Sequence, residues 1–252
     1  MLLCCVRPFL TANWRYLAML NFVVDPKILA PLVPPGTEID FENGQTFLSV
    51  VGFLFLDTRL LGLPIPLHRD FEELNLRFYV RQKSADMWRR GVVFVRELVP
   101  RRAVAMVART FYGENYLAVP MKHQIDHADS KLSVEYSWRR GRKWESLKMS
   151  ASGEPQTILA GSHAEFITEH YWGFTAVRAR HAETDGRRRS GCREYRVEHS
   201  RWKVWNAERF EFSANVAELY GDQFVEPFGV APCSAFIADG SPIEVLFREQ
   251  LA

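Results

Sequence analysis

Apolar and polar residues alternate most clearly between residues 71 and 81, which predicts a β-strand with two distinct faces. The apolar face carries Leu74, Leu76, Phe78 and Val80. The opposite face carries Glu73, Asn75, Arg77, Tyr79 and Arg81. An outer strand would show this polar face to water, whereas a strand that lines a cavity would present Glu73, Asn75 and Arg77 to a ligand. The pattern leaves both alternatives open.

The residues around this strand predict its neighbours. Residues 91–98 form its antiparallel partner, reached through a polar loop at 82–90. Beyond Arg101 the spacing becomes helical, and Gly113 ends the helix as a left-handed residue would. Upstream, we predict a strand over 14–24, a helix capped by Asp25, and a hairpin of 38–41 with 46–56 across an Asn-Gly turn. The Gly- and Pro-containing segment 60–67 is expected to be a loop over the surface or at a pocket mouth.

The downstream half predicts more hairpins and two short helices. The hairpins pair 132–138 with 144–151, 174–179 with 192–197, and 234–238 with 243–247. Ser162 and Glu165 form a capping box that opens one helix, and Ser213 caps another that ends at Gly221. Strands and helices do not alternate regularly. The fold class predicted is therefore α+β, with a large, curled, mainly antiparallel sheet, barrel-like or partly closed, and a few short flanking helices.

Composition narrows the class of protein. The 252 residues are 47% hydrophobic and 13% aromatic, which suits a sizeable core, and no linker or repeat divides residues 1–252, so we expect one domain. The net charge of +2 indicates no nucleic-acid partner. Basic runs at 139–143 and 187–189 lie at predicted hairpin tips, where solvated turns are the simpler interpretation.

Cysteine usage and hydropathy predict a cytoplasmic protein that does not enter a membrane. Cys4, Cys5, Cys192 and Cys233 have no regular spacing, so they form no disulfide framework. The first ten residues lack the charged start and cleavage site of a signal peptide. The longest apolar run, 47–56, is about ten residues long and too short to cross a bilayer.

Histidine pairs and a central glutamate are the candidate chemical groups. His123 and His127 could hold a metal on a helix, but they follow Pro120, so we expect a loop and no metal. His170 and His199 lie among aromatic residues, either packed or in a pocket. A carboxylate in the middle of an apolar strand is costly unless it is exposed or partnered. The interpretation of Glu73 as the outward partner of Arg77 therefore stands beside the cavity interpretation. No Gly-rich phosphate loop or other cofactor motif is present in the sequence, so we expect no cofactor.

Several segments together resemble the uncharacterised YqjF-like proteins of the acetoacetate decarboxylase-like superfamily. They include TFLSVVGFLFLDTR, HRDFEELNLRFYVR, GVVFVREL and AVAMVARTFYGENYLAVPM, and the likeness extends over nearly the whole chain. The resemblance implies a cone-like, partly closed antiparallel β-fold with an internal cavity and flanking helices. It also implies self-association, hence a possible homo-oligomer.

The resemblance also implies a modified site. Glu73 matches the pocket glutamate of the superfamily, and Arg15 matches its N-terminal pocket arginine. Tyr116 and Leu117 stand where acetoacetate decarboxylases carry the lysine pair that forms a Schiff base. Lys122 is the nearest lysine, and the offset of about five residues places it some ~15 Å further along a strand.

We therefore expect a β-cone cavity that binds a small organic carboxylate or carbonyl compound without an imine. Its predicted lining residues are Arg15, Glu73, Arg77, Arg109, Tyr116 and His199. As an enzyme of lyase, isomerase or hydrolase type, it would use Glu73 as acid/base and Tyr116 to polarise a carbonyl. The alternative is a non-catalytic sensor. A buried, unpaired Glu73 would favour the enzyme, and a Glu73 paired with Arg77 would favour the sensor.

Overall fold

The structure is a computed structural model that describes residues 8–85, 87–111, 113–177 and 191–247. The strands are β1 (Leu10–Val24), β2 (Glu38–Ile39), β3 (Thr46–Leu60), β4 (Leu63–Pro64), β5 (Phe71–Ser84), β6 (Met87–Val99), β7 (Tyr116–Ala118), β8 (Met121–Ala128), β9 (Lys131–Arg140), β10 (Lys143–Ser152), β11 (Gln156–Thr157), β12 (Trp172–Val177), β13 (Gly191–His199), β14 (Lys203–Asn206), β15 (Arg209–Ser213) and β16 (Ser234–Phe247). The helices are α1 (Pro26–Leu29), α2 (Arg102–Phe111), α3 (His163–Thr168), α4 (Val216–Tyr220) and α5 (Val225–Phe228), with 3-10 turns at Ala30–Leu32 and Asp222–Phe224.

A 12-stranded sheet curls so far that its two ends meet. Its main path runs β1-β3-β5-β6-β12-β13-β16, and β16 pairs back onto β1. All these pairings are antiparallel except β6 with β12, which is parallel and has only two residue pairs, Trp172 with Gly91 and Gly173 with Val92. A second sheet of four strands, in the order β15-β10-β9-β8, covers part of the outside. The predicted α+β class with a curled, mainly antiparallel sheet is confirmed.

Strand β5 has the two faces that its alternation predicts. Its apolar residues, with Phe78 completely buried, pack into a core that includes Tyr136 and Trp138 of the four-stranded sheet. The other face, which carries Glu73 and Tyr79, turns toward the inside of the curled sheet. The alternation of one strand thus separates an outer core from an interior space.

Two predicted hairpins are wrong, for different reasons. Strand β2 pairs with β5 rather than with β3, because β1 and β5 already occupy both edges of β3. Residues 234–247 form the single strand β16, not two strands around a turn. Gly240 has φ +81°, and a Cβ there would lie 2.0 Å from the Trp14 carbonyl oxygen. The glycine therefore permits a close approach of backbones in a continuous strand.

Three further predictions about loops and helix caps differ from the structure. The predicted polar loop 82–90 is mostly strand, because β5 continues to Ser84 and β6 begins at Met87. The segment around His123 is strand β8 rather than a loop. Asn215, not Ser213, caps α4.

Two predicted helix caps are confirmed. Asp25 accepts from the Lys27 backbone N–H and caps α1. The Ser162 hydroxyl accepts from the Glu165 backbone N–H and caps α3, whereas the Glu165 carboxylate accepts from the backbone N–H of Gly161. Cys4, Cys5 and the basic run 187–189 lie outside the described residues. None of the described helices is long and apolar enough to span a membrane.

Candidate functional site

The curled sheet encloses a cavity of about 190 Å³ whose walls are rich in aromatic side chains. Its apolar lining includes Trp14, Phe53, Phe55, Phe71, Phe94 and Trp202. The segment between β3 and β5 contributes Ile65 and His68 to the lining. It was predicted to be a loop over the surface or at a pocket mouth, but the short strand β4 (Leu63–Pro64) pairs with β3 within it. Aromatic walls of this kind suit an apolar ligand body and leave orientation to the few polar side chains.

The polar face of β5 lines this cavity. Glu73, Asn75 and Arg77 are 3%, 2% and 8% exposed and all contribute to the wall. The guanidinium of Arg77 donates through Nη2 to the Ile167 carbonyl oxygen at 3.2 Å. No ion pair joins Arg77 to Glu73 in the part of the chain that the structure describes. Of the two alternatives for β5, the structure has the cavity-lining strand.

A β-bulge in β6 adds a second glutamate to the cavity. Leu76 pairs with Arg96, but Arg77 pairs with Phe94, so Val95 is the extra residue. Regular alternation after Val92 and Phe94 would point Arg96 inward, and the bulge points Glu97 inward instead. Glu97 is 1% exposed.

The return from α2 adds the third glutamate and a tyrosine. Gly113, with φ +73°, follows the helix and lets the chain turn back, as expected. Strand β7 then pairs parallel to β6, with Tyr116 opposite Glu97. This crossover brings Glu114 and Tyr116 to the cavity wall, 6% and 9% exposed.

Hydrogen bonds connect these side chains into one group, which we call the glutamate cluster (Glu73, Glu97, Glu114 and Tyr116). The Tyr116 hydroxyl donates to Glu73 Oε2 at 3.1 Å, and the Asn75 amide donates to Glu73 Oε1 at 3.2 Å. Glu97 and Glu114 hydrogen-bond to each other, and Glu97 also hydrogen-bonds to Tyr116. The Tyr195 hydroxyl donates to Glu114 Oε1 at 2.7 Å.

The cluster retains protons near neutral pH. Burial raises the pKa of Glu73 to about 8 and that of Glu114 to about 7. Burial and the neighbouring carboxylates raise the pKa of Glu97 well above its usual value, and burial raises that of Tyr116 as well. A carboxyl that is protonated at neutral pH can donate a hydrogen bond or a proton, and a neighbour that is ionised can accept one.

The other predicted site residues are placed differently. His199 lines the cavity, stacks on Trp202 at 4.2 Å and contacts the Ser200 carbonyl oxygen through Nδ1 at 2.9 Å. Arg15 is not brought to the cavity, because β1 turns it away and its guanidinium donates to the Gly240 carbonyl oxygen at 3.1 Å. Arg109 lies in α2, and its side chain is outside the described part of the structure.

No lysine lines the cavity among the described residues. All lysines of the chain are exposed: Lys27, Lys83, Lys122, Lys131, Lys143, Lys148 and Lys203. Lys122 lies on β8 in the four-stranded sheet, and its Nζ is 4.7 Å from the centre of the Trp144 ring.

The two histidines of β8, His123 and His127, lie far apart along the strand. His123 contacts Glu72 at 2.7 Å, whereas His127 meets the edge of the Trp205 ring. Four residues of strand span ~13 Å, too far for one metal ion. Within the described residues no group of metal-binding side chains is found.

His170 does line the cavity and is 8% exposed. Its Nε2 lies 3.1 Å from Asp40 Oδ2, and that same oxygen accepts from Arg90 Nε at 2.7 Å. Although burial opposes it, hydrogen bonds from His170 and Arg90 lower the pKa of Asp40, and burial lowers the pKa of His170 to about 4. At neutral pH the pair is therefore a carboxylate and a neutral imidazole.

Buried polar atoms without a partner are concentrated at the cavity. Six of the eleven such side-chain atoms found in the described residues belong to cavity-lining residues. They are Trp14 Nε1, Thr58 Oγ1, Asn75 Oδ1, Arg77 Nε, Glu97 Oε2 and His170 Nδ1. Because an unpaired buried polar atom costs about 1–3 kcal/mol, such a concentration indicates a place where water or a polar ligand completes the hydrogen bonding.

The structure thus adds two site residues that the sequence did not single out. The sequence pattern does not reveal Glu97, because a bulge turns it inward, or Glu114, because it lies in a loop that alternation does not describe. His170 was expected either to be packed or to lie in a pocket, and it lines the cavity. Its partner Asp40 is 130 positions away in the sequence, so no local signal joins the two.

The fold is that of the acetoacetate decarboxylase-like proteins. Acetoacetate decarboxylase from Legionella pneumophila aligns with a TM-score of 0.62 at 15% identity, covering 95% of this chain and 84% of that one. The enduracididine biosynthesis enzyme MppR, in its complex with pyruvate, aligns with a TM-score of 0.62 at 13% identity, covering 95% and 88%.

Within this class the family is defined by sequence. The family of domain of unknown function 2071, described as an uncharacterized conserved protein, matches residues 11–242. The uncharacterized protein YqjF of Bacillus subtilis is 30% identical over 214 residues, which cover 83% of this chain and 80% of YqjF. The chain belongs to this YqjF-like family.

Proposed function

We propose that the chain binds a small organic carbonyl or carboxyl compound in its cavity and exchanges a proton with it through Glu73, without a covalent lysine. The observation that supports this most is the convergence of three buried glutamates and Tyr116 on a cavity whose described walls contain no lysine. The aromatic walls would hold the apolar body of the ligand. The glutamate cluster would hold its oxygen.

The chemistry follows from the different proton affinities within the cluster. An ionised Glu73 would take a proton from the carbon next to a carbonyl group. The electron pair left on that carbon would move toward the carbonyl oxygen, where Tyr116 or a protonated neighbour would donate a hydrogen bond. Returning the proton to another carbon would make an isomerase, and expelling a leaving group would make a lyase. Arg77 would orient a carboxylate on the same ligand.

A non-catalytic sensor that uses the same cavity is the second candidate. It is favoured by the hydrogen bonds that Glu73 already receives from Asn75 and Tyr116, which could serve as a fixed framework. The enzyme is favoured more, because Arg77 donates to Ile167 rather than pairing with Glu73 and the pKa of Glu73 is raised. A structural ion pair would have lowered that pKa.

The test combines three measurements on pyruvate, acetoacetate and phenylpyruvate. We expect thermal stabilisation by at least one compound, and no mass increase after borohydride treatment. We also expect exchange of its α-protons for deuterium, seen by NMR. Glu73→Gln should abolish the exchange and keep the stabilisation, because the amide donates hydrogen bonds but cannot take the proton.

The three readouts separate the alternatives. A borohydride-trapped adduct that Lys122→Ala removes would overturn the lysine-free proposal. Thermal stabilisation without exchange of the α-protons would favour the non-catalytic sensor over the enzyme. If none of the three compounds stabilises the protein or exchanges, the proposed ligand class is wrong.

A further inference from the structure

The end of the cavity beside α3 holds polar atoms that the glutamate cluster does not use. On β5, Arg77 lies two strand repeats beyond Glu73. Its guanidinium donates through Nη2 to the Ile167 carbonyl oxygen and lies 5.7 Å from the centre of the Tyr79 ring. Arg77 Nε has no partner in the described structure, and neither does Nδ1 of His170. Both residues line the cavity.

The protonation of His170 follows from its partners. Asp40 also accepts from Arg90, so it is held as a carboxylate, which can only accept hydrogen bonds. His170 Nε2 must therefore carry the proton that it donates to Asp40. A neutral imidazole then has a lone pair on Nδ1.

Packing fixes the orientation of this ring. The Tyr79 ring lies 4.7 Å from it and the Phe166 ring 5.0 Å. Because the His170 side chain is 1% exposed, a group that reaches Nδ1 must come from the cavity and not from bulk solvent. The result is an oriented acceptor at His170 Nδ1 and a donor at Arg77 Nε, on two residues that line the same cavity.

We infer that His170 and Arg77 form a second polar subsite of the cavity, which binds a hydroxyl-bearing part of the ligand: the hydroxyl donates to His170 Nδ1, and a neighbouring oxygen accepts from Arg77 Nε. The ligand class is then a hydroxy acid or a comparable hydroxylated carbonyl compound. This inference rests on the proposed function, since it takes the same cavity to be the ligand site. Asp40 is a positioning residue, because it acts only through His170.

Matched acids that differ by one hydroxyl test the subsite. The probes are 3-phenylpropionate with 3-phenyllactate, and butyrate with 2-hydroxybutyrate, each titrated calorimetrically. We expect the wild-type protein to bind the hydroxylated member of at least one pair about 3- to 10-fold more tightly, the value of one added hydrogen bond.

Two variants separate the subsite from a general effect on folding. His170→Gln keeps an amide that can donate to Asp40 but replaces the rigid ring that fixes Nδ1 by a flexible chain, whose remaining acceptor is the amide oxygen. The preference should therefore fall while binding of the unhydroxylated acid persists. His163→Gln is the matched control. His163 also contacts a carboxylate, Glu42, at 2.5 Å and has an unpartnered Nε2, but it does not line the cavity, so the preference should be unchanged.

Each outcome decides the matter. Equal affinities within both pairs for the wild type, or an undiminished preference in His170→Gln, would overturn the subsite and leave the proposed function standing. If no acid of either pair binds while the keto acids do, the subsite is likewise wrong. If neither these acids nor the keto acids bind, the proposed function fails as well.

Discussion

The two faces of β5 meet two very different interiors. On one side, Leu76 and Phe78 enter a core shared with the four-stranded sheet. There Trp138 Nε1 donates to Glu145 at 2.6 Å and the Tyr136 hydroxyl donates to the Tyr16 carbonyl oxygen at 2.8 Å, while the Tyr220 hydroxyl is the exception without a partner among the described residues. On the other side, Asn75 and Arg77 face the cavity, each with an unpartnered polar atom among the described contacts.

The core and the cavity on the two sides of β5 therefore contribute differently to stability and to binding. A close-packed core contributes stability, and buried polar atoms such as Trp138 Nε1 recover there the hydrogen bond that they lost to water. A wall with unpaired carboxyl, amide and guanidinium atoms forgoes part of that stability. The outer face of β5 therefore serves folding, and the inner face is available for binding and chemistry.

The largest expected effect compares a phenylalanine from each side. Phe78→Ala should lower the free energy of unfolding by about 3–5 kcal/mol, because it opens a new void in the close-packed core between β5 and the four-stranded sheet. Phe53→Ala should cost less, since Phe53 already borders open space. Urea denaturation of both variants checks this ordering, and equal losses would mean that the cavity side is packed as tightly as the outer core.

The next effect is a change in how stability depends on pH. It is tested with two adjacent glutamates, Glu73 and Glu72, which lie on opposite faces of β5. The pKa of Glu73 is about 8 when folded, above its unfolded value of 4.5. The unfolded chain therefore loses this proton first as the pH rises, and stability falls between about pH 4.5 and 8. Glu73→Gln removes that loss, so the variant should be more stable than wild type by about 2–4 kcal/mol at pH 9 and nearly equal at pH 4.

Glu72→Gln is the control, because its effect on the free energy of unfolding should depend on pH in the opposite direction. The hydrogen bond from His123, against the effect of burial, lowers the pKa of Glu72, so its ionised form contributes stability above the unfolded pKa that is lost as the pH falls through the folded pKa. This variant should be less stable than wild type at pH 6 and converge with it at acid pH. Parallel stability–pH curves for Glu73→Gln and wild type would contradict the raised pKa of the cluster.

A smaller effect is expected from two glycines. A Cβ at Gly52 would lie 2.7 Å from Tyr136 Cδ2 in the close-packed core, so Gly52→Ala should lower the free energy of unfolding by about 1–3 kcal/mol. A Cβ at Gly173 would lie 2.2 Å from Tyr195 Cζ, but that ring borders the cavity and can move into it. Gly173→Ala should therefore cost less in thermal unfolding and should instead weaken ligand binding. A larger stability loss at Gly173 than at Gly52 would argue against this freedom.

The smallest effect is expected at Lys122. Its ammonium contacts the exposed Trp144 ring, so Lys122→Ala should change the free energy of unfolding by no more than about 1 kcal/mol. Ligand stabilisation of the variant should match that of the wild type. A loss of ligand binding on this substitution would show that the lysine does reach the cavity.

Local patterns predicted the sheet, most helix ends and the two distinct faces of β5, because alternation and capping depend on neighbouring residues, but they left open whether the polar face of β5 points to solvent or to a cavity. They failed at β2 and at Gly240, where the deciding contacts are with strands distant in the sequence. The same limit applies to the site. Glu73 could be found from its strand and from the family resemblance, whereas Glu97 and the contact of His170 with Asp40 depend on a bulge and on a long-range pairing.

The bulge at Val95 has a consequence for sequence change in this family. Deleting that one codon would restore strict alternation in β6 and keep Glu97 inward, because Phe94, Arg96 and Glu97 would then point in, out and in. If β6 instead kept Val95 and paired regularly through it, Glu97 would turn outward although no residue of the cavity wall had been substituted. The number of carboxyl groups in the cavity therefore depends on the pairing register of one strand as well as on its composition.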